Sequence, residues 1–304
     1  MSGVHTGHAF VRGNKEVRPE GQWPIPEGLV TIPKLLKKAG YTTGMFGKWG
    51  LGAPGSEGDP IKQGFDRFYG YNCQREAHTY YPQHLWSNDK KVELDGQTYS
   101  FDLIHKETLD FIRQNKERPF FAYVPVTIPH AAMHVPKNDH DPWREKFPEY
   151  EGRMGKYRGP AVDNPAAAFA GMMTRLDRSI GEVARLLQEL GIAKDTLVMI
   201  TSDNGPHKEG GHVPDFFNSN GPLRGYKRDL YEGGIRVPLM IRWPEVIKSH
   251  QVNDTPVISM DFFPTILDTC GLSPETQCDG KSLVPLFHNH RLRRSSIFFH
   301  FPNY

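Results

Sequence analysis

The sequence has 304 residues, and its 37 Lys and Arg against 35 Asp and Glu give a formal charge of +2. This near-neutral balance argues against proteins that bind nucleic acid through a strongly basic surface. No segment approaches the roughly 18 consecutive apolar residues of a membrane-spanning helix. We therefore expect a folded protein without a membrane span and without nucleic acid as a partner.

The predicted elements alternate along the chain between helices and short apolar strands. The predicted helices cover residues 32–39, 102–114, 164–190 and 260–270, and the predicted strands lie around 45–46 and over 120–124, 196–200 and 237–241. In the longest helix, apolar residues recur every three or four positions, so Met172 and Met173 are predicted to pack in the core. This alternation is typical of α/β proteins whose sheet has helices on both faces.

Two long polar segments, 50–97 and 133–164, are predicted to be ordered loops. Nine aromatic or histidine residues lie between Gly64 and Trp86, and rings at this density suit stacking on sugars. We consider His78 and His84 candidate substrate-binding residues. The alternative is a loop that its own aromatic rings anchor in the core.

The three cysteines are Cys73, Cys270 and Cys278. They are too few and too scattered for a disulfide scaffold or a zinc site built from cysteine. Cys270 and Cys278 could pair, but free thiols are the preferred interpretation.

Polar residues follow the predicted strands, at the edge where open α/β sheets bind ligands. Asp203 and Asn204 follow the strand over 196–200 and carry oxygen atoms of the kind that calcium or magnesium prefers. Asp-Asn-Gly is also ordinary turn chemistry, so a simple turn is the alternative.

Two more strand ends carry candidate residues. His130 follows the strand over 120–124 and is a candidate general acid or base, although a single histidine can equally be structural. Lys48 follows the strand around 45–46 between two glycines, and could act as a positive charge toward an oxyanion.

A basic loop over residues 221–238 precedes the last predicted strand. Its cations lie among glycines and could bind one anion together. They are Arg224, Lys227, Arg228 and Arg236. A solvated basic loop is the alternative. His207 and His212, which follow the Asp203 turn, could line the same pocket. These candidates together suit a tetrahedral oxyanion ester, and both sulfate and phosphate fit.

Four motifs occur in order along the chain. They are Gly47-Lys48-Trp49, Pro129-His130, Ser202-Asp203-Asn204-Gly205, and Lys227 followed by Tyr-Glu-Gly-Gly-Ile-Arg-Val-Pro over 231–238. As a set they resemble the sulfatase family of the alkaline-phosphatase superfamily. The resemblance implies an alkaline-phosphatase-like α/β fold, here incomplete, with a mixed and mostly parallel sheet and helices on both faces.

The resemblance also implies a calcium-dependent hydrolase of sulfate esters, with sulfated sugars or glycans as the preferred substrates. Asp203 and Asn204 would be metal ligands. Lys48 and Lys227 would hold sulfate oxygens, and His130 would assist the departure of the leaving group. The family's nucleophile is a formylglycine made within the motif Cys/Ser-x-Pro-x-Arg.

Two features depart from the family pattern. No cysteine or serine is followed by x-Pro-x-Arg, and Gly50 stands where many sulfatases have a histidine. We interpret residues 1–304 as a sulfatase catalytic domain without its N-terminal nucleophile and metal segment and without its C-terminal subdomain. We therefore expect this chain alone to be inactive, and the parent protein to be periplasmic or secreted.

Two alternatives stay open at this point. A phosphodiesterase or phosphonate monoester hydrolase of the same superfamily would use the same kind of oxyanion site. A non-catalytic fragment that binds anions or glycans would retain a ligand without turning it over.

Overall fold

The computed structural model describes residues 1–299, in which it contains seven α-helices and nine strands. The helices are α1 (Ile32–Lys38), α2 (Ser100–Gln114), α3 (Lys137–Arg144), α4 (Pro165–Glu189), α5 (Glu232–Ile235), α6 (Phe262–Thr269) and α7 (Val284–Phe287). The strands are β1 (Thr42–Lys48), β2 (Arg67–Tyr71), β3 (His84–Ser87), β4 (Lys90–Glu93), β5 (Phe120–Tyr123), β6 (Met154–Gly155), β7 (Val162–Asp163), β8 (Val198–Thr201) and β9 (Leu239–Arg242).

The main sheet is mixed, as predicted, and has the strand order β4-β3-β2-β1-β5. β1 is parallel to both of its neighbours, β2 and β5, whereas β2–β3 and β3–β4 are antiparallel. The two parallel pairings therefore lie toward the β5 edge of the sheet, and Lys48 ends β1 between two parallel neighbours.

Helices cover both faces of this sheet, which confirms the predicted layers. Met45 and Phe46 are adjacent in β1 and point to opposite faces. Phe46 packs with the apolar side of α2, including Ile104 and Phe111. Met45 lies on the other face, which α1 and α6 cover; Phe121 of β5 contacts both clusters on that face. Cys270 and Cys278 pack there as free thiols.

The longest helix, α4, begins and ends close to its predicted limits. The side-chain oxygen of Asn164 accepts a hydrogen bond from the N–H of Ala167 at 3.0 Å, which caps the first turn. Met172 is fully buried as predicted, but Met173 is wrongly predicted as core because it is 41% exposed. None of the helices within residues 1–299 combines the length and apolar composition that a membrane crossing requires.

The two long polar segments are ordered, but the prediction of loops is wrong for both. The first contains β2, β3 and β4, and the second contains α3 and the small β6–β7 hairpin. The reason is tertiary: the aromatic side chains of β2 are buried between the helix layers, so a segment that reads as a tyrosine-rich loop forms an inner strand.

β8 and β9 are strands as predicted, but within the described part of the chain they form a separate antiparallel pair. Pro238 directly precedes β9, in agreement with the predicted strand start. The Asp203 turn leaves the end of β8.

Candidate functional site

Lys48 is held where the ends of β1 and β5 approach each other. Its N–H donates to the carbonyl of Pro125 at 2.8 Å. Gly47 lies between these chains with φ of +139°, and a Cβ atom there would be 2.2 Å from the Pro125 oxygen. Glycine is therefore required by the packing of the two strand ends, and not by the close approach of a ligand.

His130 ends a turn that a buried tyrosine holds. The N–H of His130 donates to the carbonyl of Thr127 at 3.0 Å. The hydroxyl of Tyr80 lies 3.1 Å from the Thr127 oxygen and 3.0 Å from the His130 oxygen. Tyr80 belongs to the aromatic segment proposed for sugar stacking, but it is fully buried, as are Phe65, Phe68 and Tyr71. These rings anchor the segment, and the stacking hypothesis is not supported for them.

The side chain of Lys227 reaches His130 from a distant loop. The Lys227 Nζ lies 3.1 Å from the His130 Nε2. An ammonium group can only donate, so the Nε2 accepts and the imidazole proton resides on Nδ1. Burial, followed by the charges of Lys227 and Lys48, lowers the pKa of His130 to about 2. His130 is therefore a neutral ring beside two cations.

Two further histidines complete a cluster around His130. The ring of His78 stacks on that of His130 at a centroid distance of 4.9 Å, and the ring of His207 lies at 6.0 Å. Burial and the charges of Lys48, Arg158 and Lys227 lower the pKa of His78 to about 4. Burial also lowers the pKa of His207. The cluster is uncharged at neutral pH, so the positive charge of the site comes from lysine and arginine.

His207 has a defined tautomer. Its Nδ1 accepts from the N–H of Glu209 at 3.2 Å, so the Nε2–H donates to the carbonyl of Pro129 at 3.0 Å. Because Pro129 precedes His130, this bond ties the loop after β8 to the turn that carries His130.

Asp203 lies near Lys48 at the end of β8. Burial lowers the pKa of Lys48, the negative charge of Asp203 opposes that shift, and Lys227 adds to it. The Asp203 turn packs against α5, where a Cβ atom on Gly205 would lie 1.9 Å from the carbonyl oxygen of Gly233. The glycines of both motifs therefore allow β8 and α5 to approach closely.

A complete calcium site is not formed by the described residues. Calcium requires about six to eight oxygen ligands, and Asp203 with Asn204 supplies three at most. The Asn204 amide nitrogen donates to the carbonyl of Gly205 at 3.0 Å. Within residues 1–299, no group of three or more His, Cys, Asp or Glu side chains could hold a metal ion. The residues present thus fit part of a calcium shell only.

Three predicted substrate-binding residues do not join the His130 cluster directly. The Nε2 of His84 lies 3.1 Å from a carboxylate oxygen of Glu20. The guanidinium of Arg224 lies over the ring of Tyr231 at 3.9 Å, on the exposed side of its loop. His212 stacks on Phe169 at 3.8 Å and reaches the cluster only through His207. Of the predicted substrate-binding residues, His78 and His207 contact His130.

Sequence reasoning did not single out several residues that lie at this site. Tyr157 packs the edge of its ring against His78 and His130. Glu209 lies 4.0 Å from Lys227 and pairs with Arg228 at 2.6 Å. The sequence could have indicated Glu209 as a site residue, because it lies between His207 and His212 and precedes two glycines.

Two carboxamides near the end of β1 were also missed. Asn72 follows β2, is fully buried, and its side-chain amide has no hydrogen-bond partner within residues 1–299. Gln74 occupies the space beside Gly50, where an added Cβ would lie 2.4 Å from the Gln74 Nε2. Gln74 therefore fills the space that a larger residue at position 50 would need.

The sequence and structure were compared with known proteins. The Sulfatase family matches residues 3–272. N-acetylgalactosamine-6-sulfatase of Rattus norvegicus is 32% identical over an alignment that covers 98% of this chain and 56% of that protein. Steryl-sulfatase of Rattus norvegicus is 28% identical, with 92% of this chain and 58% of that protein covered.

A solved structure also resembles the fold. Ps i-CgsB in complex with k-i-k-neocarrahexaose aligns with a TM-score of 0.77 and 25% identity, covering 95% of this chain and 64% of that one. The chain spans a little over half the length of the two curated relatives. Because the family match covers most of its residues, the chain belongs to the sulfatase family.

Proposed function

We propose that this chain carries the sulfate-binding and leaving-group residues of a sulfuric ester hydrolase that acts on sulfated sugars. The observation that supports this function is the contact between the Lys227 ammonium and a neutral His130, with Lys48 close enough to lower the pKa of His130. Two cations beside an uncharged imidazole suit an anionic ester whose leaving oxygen needs a hydrogen bond or a proton.

The proposed roles follow from these charges. A sulfate ester enters beside Lys48 and Lys227, whose ammonium groups bind its non-bridging oxygens and stabilise the negative charge that develops during the reaction. When Lys227 turns to the sulfate, it releases the Nε2 of His130. The anion also raises the pKa of His130, so the ring can bind a proton and donate it to the bridging oxygen.

The sugar part of the proposal draws on the relatives. The relative N-acetylgalactosamine-6-sulfatase is named for a sulfated N-acetylgalactosamine, and the similar solved structure contains a neocarrahexaose. Because steryl-sulfatase is also a relative, a sterol sulfate is the substrate with which a sulfated sugar should be compared.

We also propose calcium as the metal that Asp203 and Asn204 would bind, with a formylglycine nucleophile in the whole protein. With at most three oxygen ligands on the described residues, the calcium affinity of this chain is expected to be weak. In a calorimetric titration, the dissociation constant for calcium should therefore be about millimolar or higher. Asp203→Asn should remove this binding. Tight binding that survives Asp203→Asn would contradict this assignment.

Binding and turnover test the function separately. Calorimetric titration with an aryl sulfate should show binding that Lys48→Ala or Lys227→Ala weakens by about 10-fold to 100-fold, the usual range for a lost charged hydrogen bond. Lys137→Ala is the control, because that lysine is 85% exposed on α3. Equal affinity in all four proteins would reject the sulfate site.

Turnover should be measured on paired aryl sulfate and aryl phosphate diester substrates. We expect no sulfate release by residues 1–304 above that of the Lys227→Ala variant, and clear release would contradict the expected inactivity. In the full-length protein, preference for the phosphate diester or a phosphonate monoester would support the superfamily alternative.

A further inference from the structure

Glu209 is a buried carboxylate beside the lysine that contacts His130. Its Oε2 lies 4.0 Å from the Lys227 Nζ, and its Oε1 lies 2.6 Å from the Nη1 of Arg228. Both carboxylate oxygens are shielded from solvent, whereas the side chain of Arg228 is 62% exposed. Dissolved salt screens a buried charge much less than an exposed one. The negative charge of Glu209 therefore acts on the site with little screening.

The loop that carries Glu209 is bonded to the Lys227 turn. The N–H of Lys227 donates to the carbonyl of Pro206 at 2.8 Å, which joins the loop after β8 to that turn. Within the loop, the N–H of Glu209 donates to the Nδ1 of His207 at 3.2 Å. These two hydrogen bonds hold the Glu209 carboxylate in a defined place beside the Lys227 ammonium.

The distance from Glu209 to a bound anion follows from these contacts. An oxyanion oxygen bonds to an ammonium nitrogen at about 2.8 Å. Since the Lys227 Nζ is 4.0 Å from the Glu209 carboxylate, an anion oxygen bonded to that Nζ lies within about 7 Å of the carboxylate. At about 7 Å and an effective dielectric constant of about 20, each negative charge on the anion lowers its affinity by about 50-fold.

Sulfate and phosphate monoesters have the same tetrahedral shape but different charges. A sulfate monoester carries one negative charge. A phosphate monoester loses its second proton with a pKa of about 6, so it carries two negative charges at pH 8. Lys48 and Lys227 favour the doubly charged ester, and a carboxylate beside them opposes this preference.

We propose that Glu209 is a specificity-determining residue, whose charge selects singly charged esters over doubly charged ones at the site formed by Lys48 and Lys227. The proposal rests on the proposed function, because it concerns the same sulfate site. Asp203 also affects Lys48, but its charge belongs to the proposed calcium site. The selection against a second negative charge therefore depends on Glu209.

The test compares 4-nitrophenyl sulfate with 4-nitrophenyl phosphate by calorimetry at pH 8 and 0.15 M salt. The two probes share the aryl group and differ in charge, so the ratio of their dissociation constants isolates the effect of charge. In Glu209→Gln, the affinity for the phosphate ester should rise by at least about 10-fold relative to that for the sulfate ester. A change in structure alone would alter both affinities by the same factor.

A second variant separates the charge of Glu209 from its shape. Glu209→Asp shortens the side chain and keeps the charge, so its ratio should stay within about 3-fold of that of the unchanged protein. A rise in Glu209→Asp as large as that in Glu209→Gln would show that charge is not the cause, and would overturn the proposal.

The matched control is Glu107→Gln. Glu107 also pairs with an arginine, Arg67, at 2.5 Å, and its side chain is 30% exposed. Arg67 begins β2, whereas Lys48 pairs with the last residue of that strand, so this ion pair lies at the opposite end of the main sheet. The control should keep the ratio of the unchanged protein.

Two further outcomes would overturn the proposal: an unchanged ratio in Glu209→Gln, or an equal rise in Glu107→Gln. Failure of the unchanged protein to bind the aryl sulfate would instead reject the proposed function, because that probe needs only the cations of the site.

Discussion

His130 shows how the surroundings of one residue set its chemistry. A free imidazole titrates near pH 6.5, but burial and two neighbouring lysines hold the pKa of His130 at about 2. The same lysines that suit a sulfate keep the ring neutral until an anion offsets their charge. Binding of the anion and protonation of the ring are therefore coupled at this residue.

The first prediction concerns the tautomer of His130. In the unchanged protein at pH 7, ¹⁵N chemical shifts should report a neutral ring with its proton on Nδ1, since Nε2 accepts from Lys227. Lys227→Met removes that donor and should shift the ring toward a mixture of tautomers, with a pKa that rises but stays below 6.5 because burial is the largest cause. Lys48→Met is the control and should leave the tautomer unchanged. A His130 ring that titrates near pH 6.5 in the unchanged protein would contradict this geometry.

The second prediction concerns His212, which is 3% exposed and has no hydrogen-bond partner on either ring nitrogen within residues 1–299. Burial, followed by His207, lowers the pKa of His212 to about 3. As the pH falls below 6.5, the unfolded chain binds a proton there and the folded chain does not, so stability falls toward pH 3.

His212→Phe removes this proton uptake and keeps an aromatic ring against Phe169. We compare the free energy of unfolding of the variant with that of the unchanged protein at each pH. This difference should be about 2 kcal/mol more favourable to the variant at pH 5 than at pH 7.5. Urea denaturation at both pH values measures the difference. If the difference between the variant and the unchanged protein is the same at both pH values, His212 is not held neutral in the folded protein.

Between elements, close backbone packing explains the glycines of the motifs. Gly47 separates the ends of β1 and β5, and Gly205 allows the Asp203 turn to rest on α5. Lys48 directly follows Gly47, and Asn204 directly precedes Gly205, so both of these motifs place a candidate side chain next to a glycine at which two elements meet. In these motifs, the glycine allows two elements to pack closely, and the neighbouring residue provides the functional side chain.

Gly47→Ala should therefore destabilise the protein by about 3 kcal/mol or more, since it combines a positive φ with a contact that backbone atoms cannot relieve. Gly28→Ala is the matched control because an added Cβ there meets no atom within 4 Å. Its effect should stay within about 0.5 kcal/mol. Chemical denaturation compares the two variants, and similar values for both would refute the packing role of Gly47.

Over the whole molecule, the support for the site is uneven. β1 lies between two strands and two helix layers, whereas β8 pairs with β9 alone among the described strands. Met240 at the centre of β9 is 56% exposed. Lys48 therefore rests on a rigid element, and Asp203 follows a strand with less support.

Hydrogen exchange should reveal this difference. Amides in the centre of β8 and β9 should exchange at least about 30-fold faster than those of β1, which corresponds to a local opening free energy about 2 kcal/mol lower. Mass spectrometry of peptides that cover β1 and β8 provides the measurement. Equal protection of the two strands would mean that β8 has support comparable to that of β1.

The sequence by itself determined the longest helix, the strands that lead into Lys48 and Asp203, and the residue types of the site. Apolar patterns located α4, the strand that ends at Lys48 and the strand that precedes Asp203, because helix and strand patterns depend on neighbouring residues. The order of the four motifs indicated the family, and the comparisons confirmed it. Apolar patterns and short motifs both depend on residues that are close together in the sequence.

Only the tertiary structure decided which of these residues meet. His130 and Lys227 are 97 positions apart, and their contact depends on how the loops after β5 and β8 pack together. Packing of the sheet against its helices buried the aromatic segment, and the fold brought His78 to His130 while His84 paired with Glu20. Burial and contact between distant segments depend on the whole chain, so no local pattern distinguished one histidine from the other.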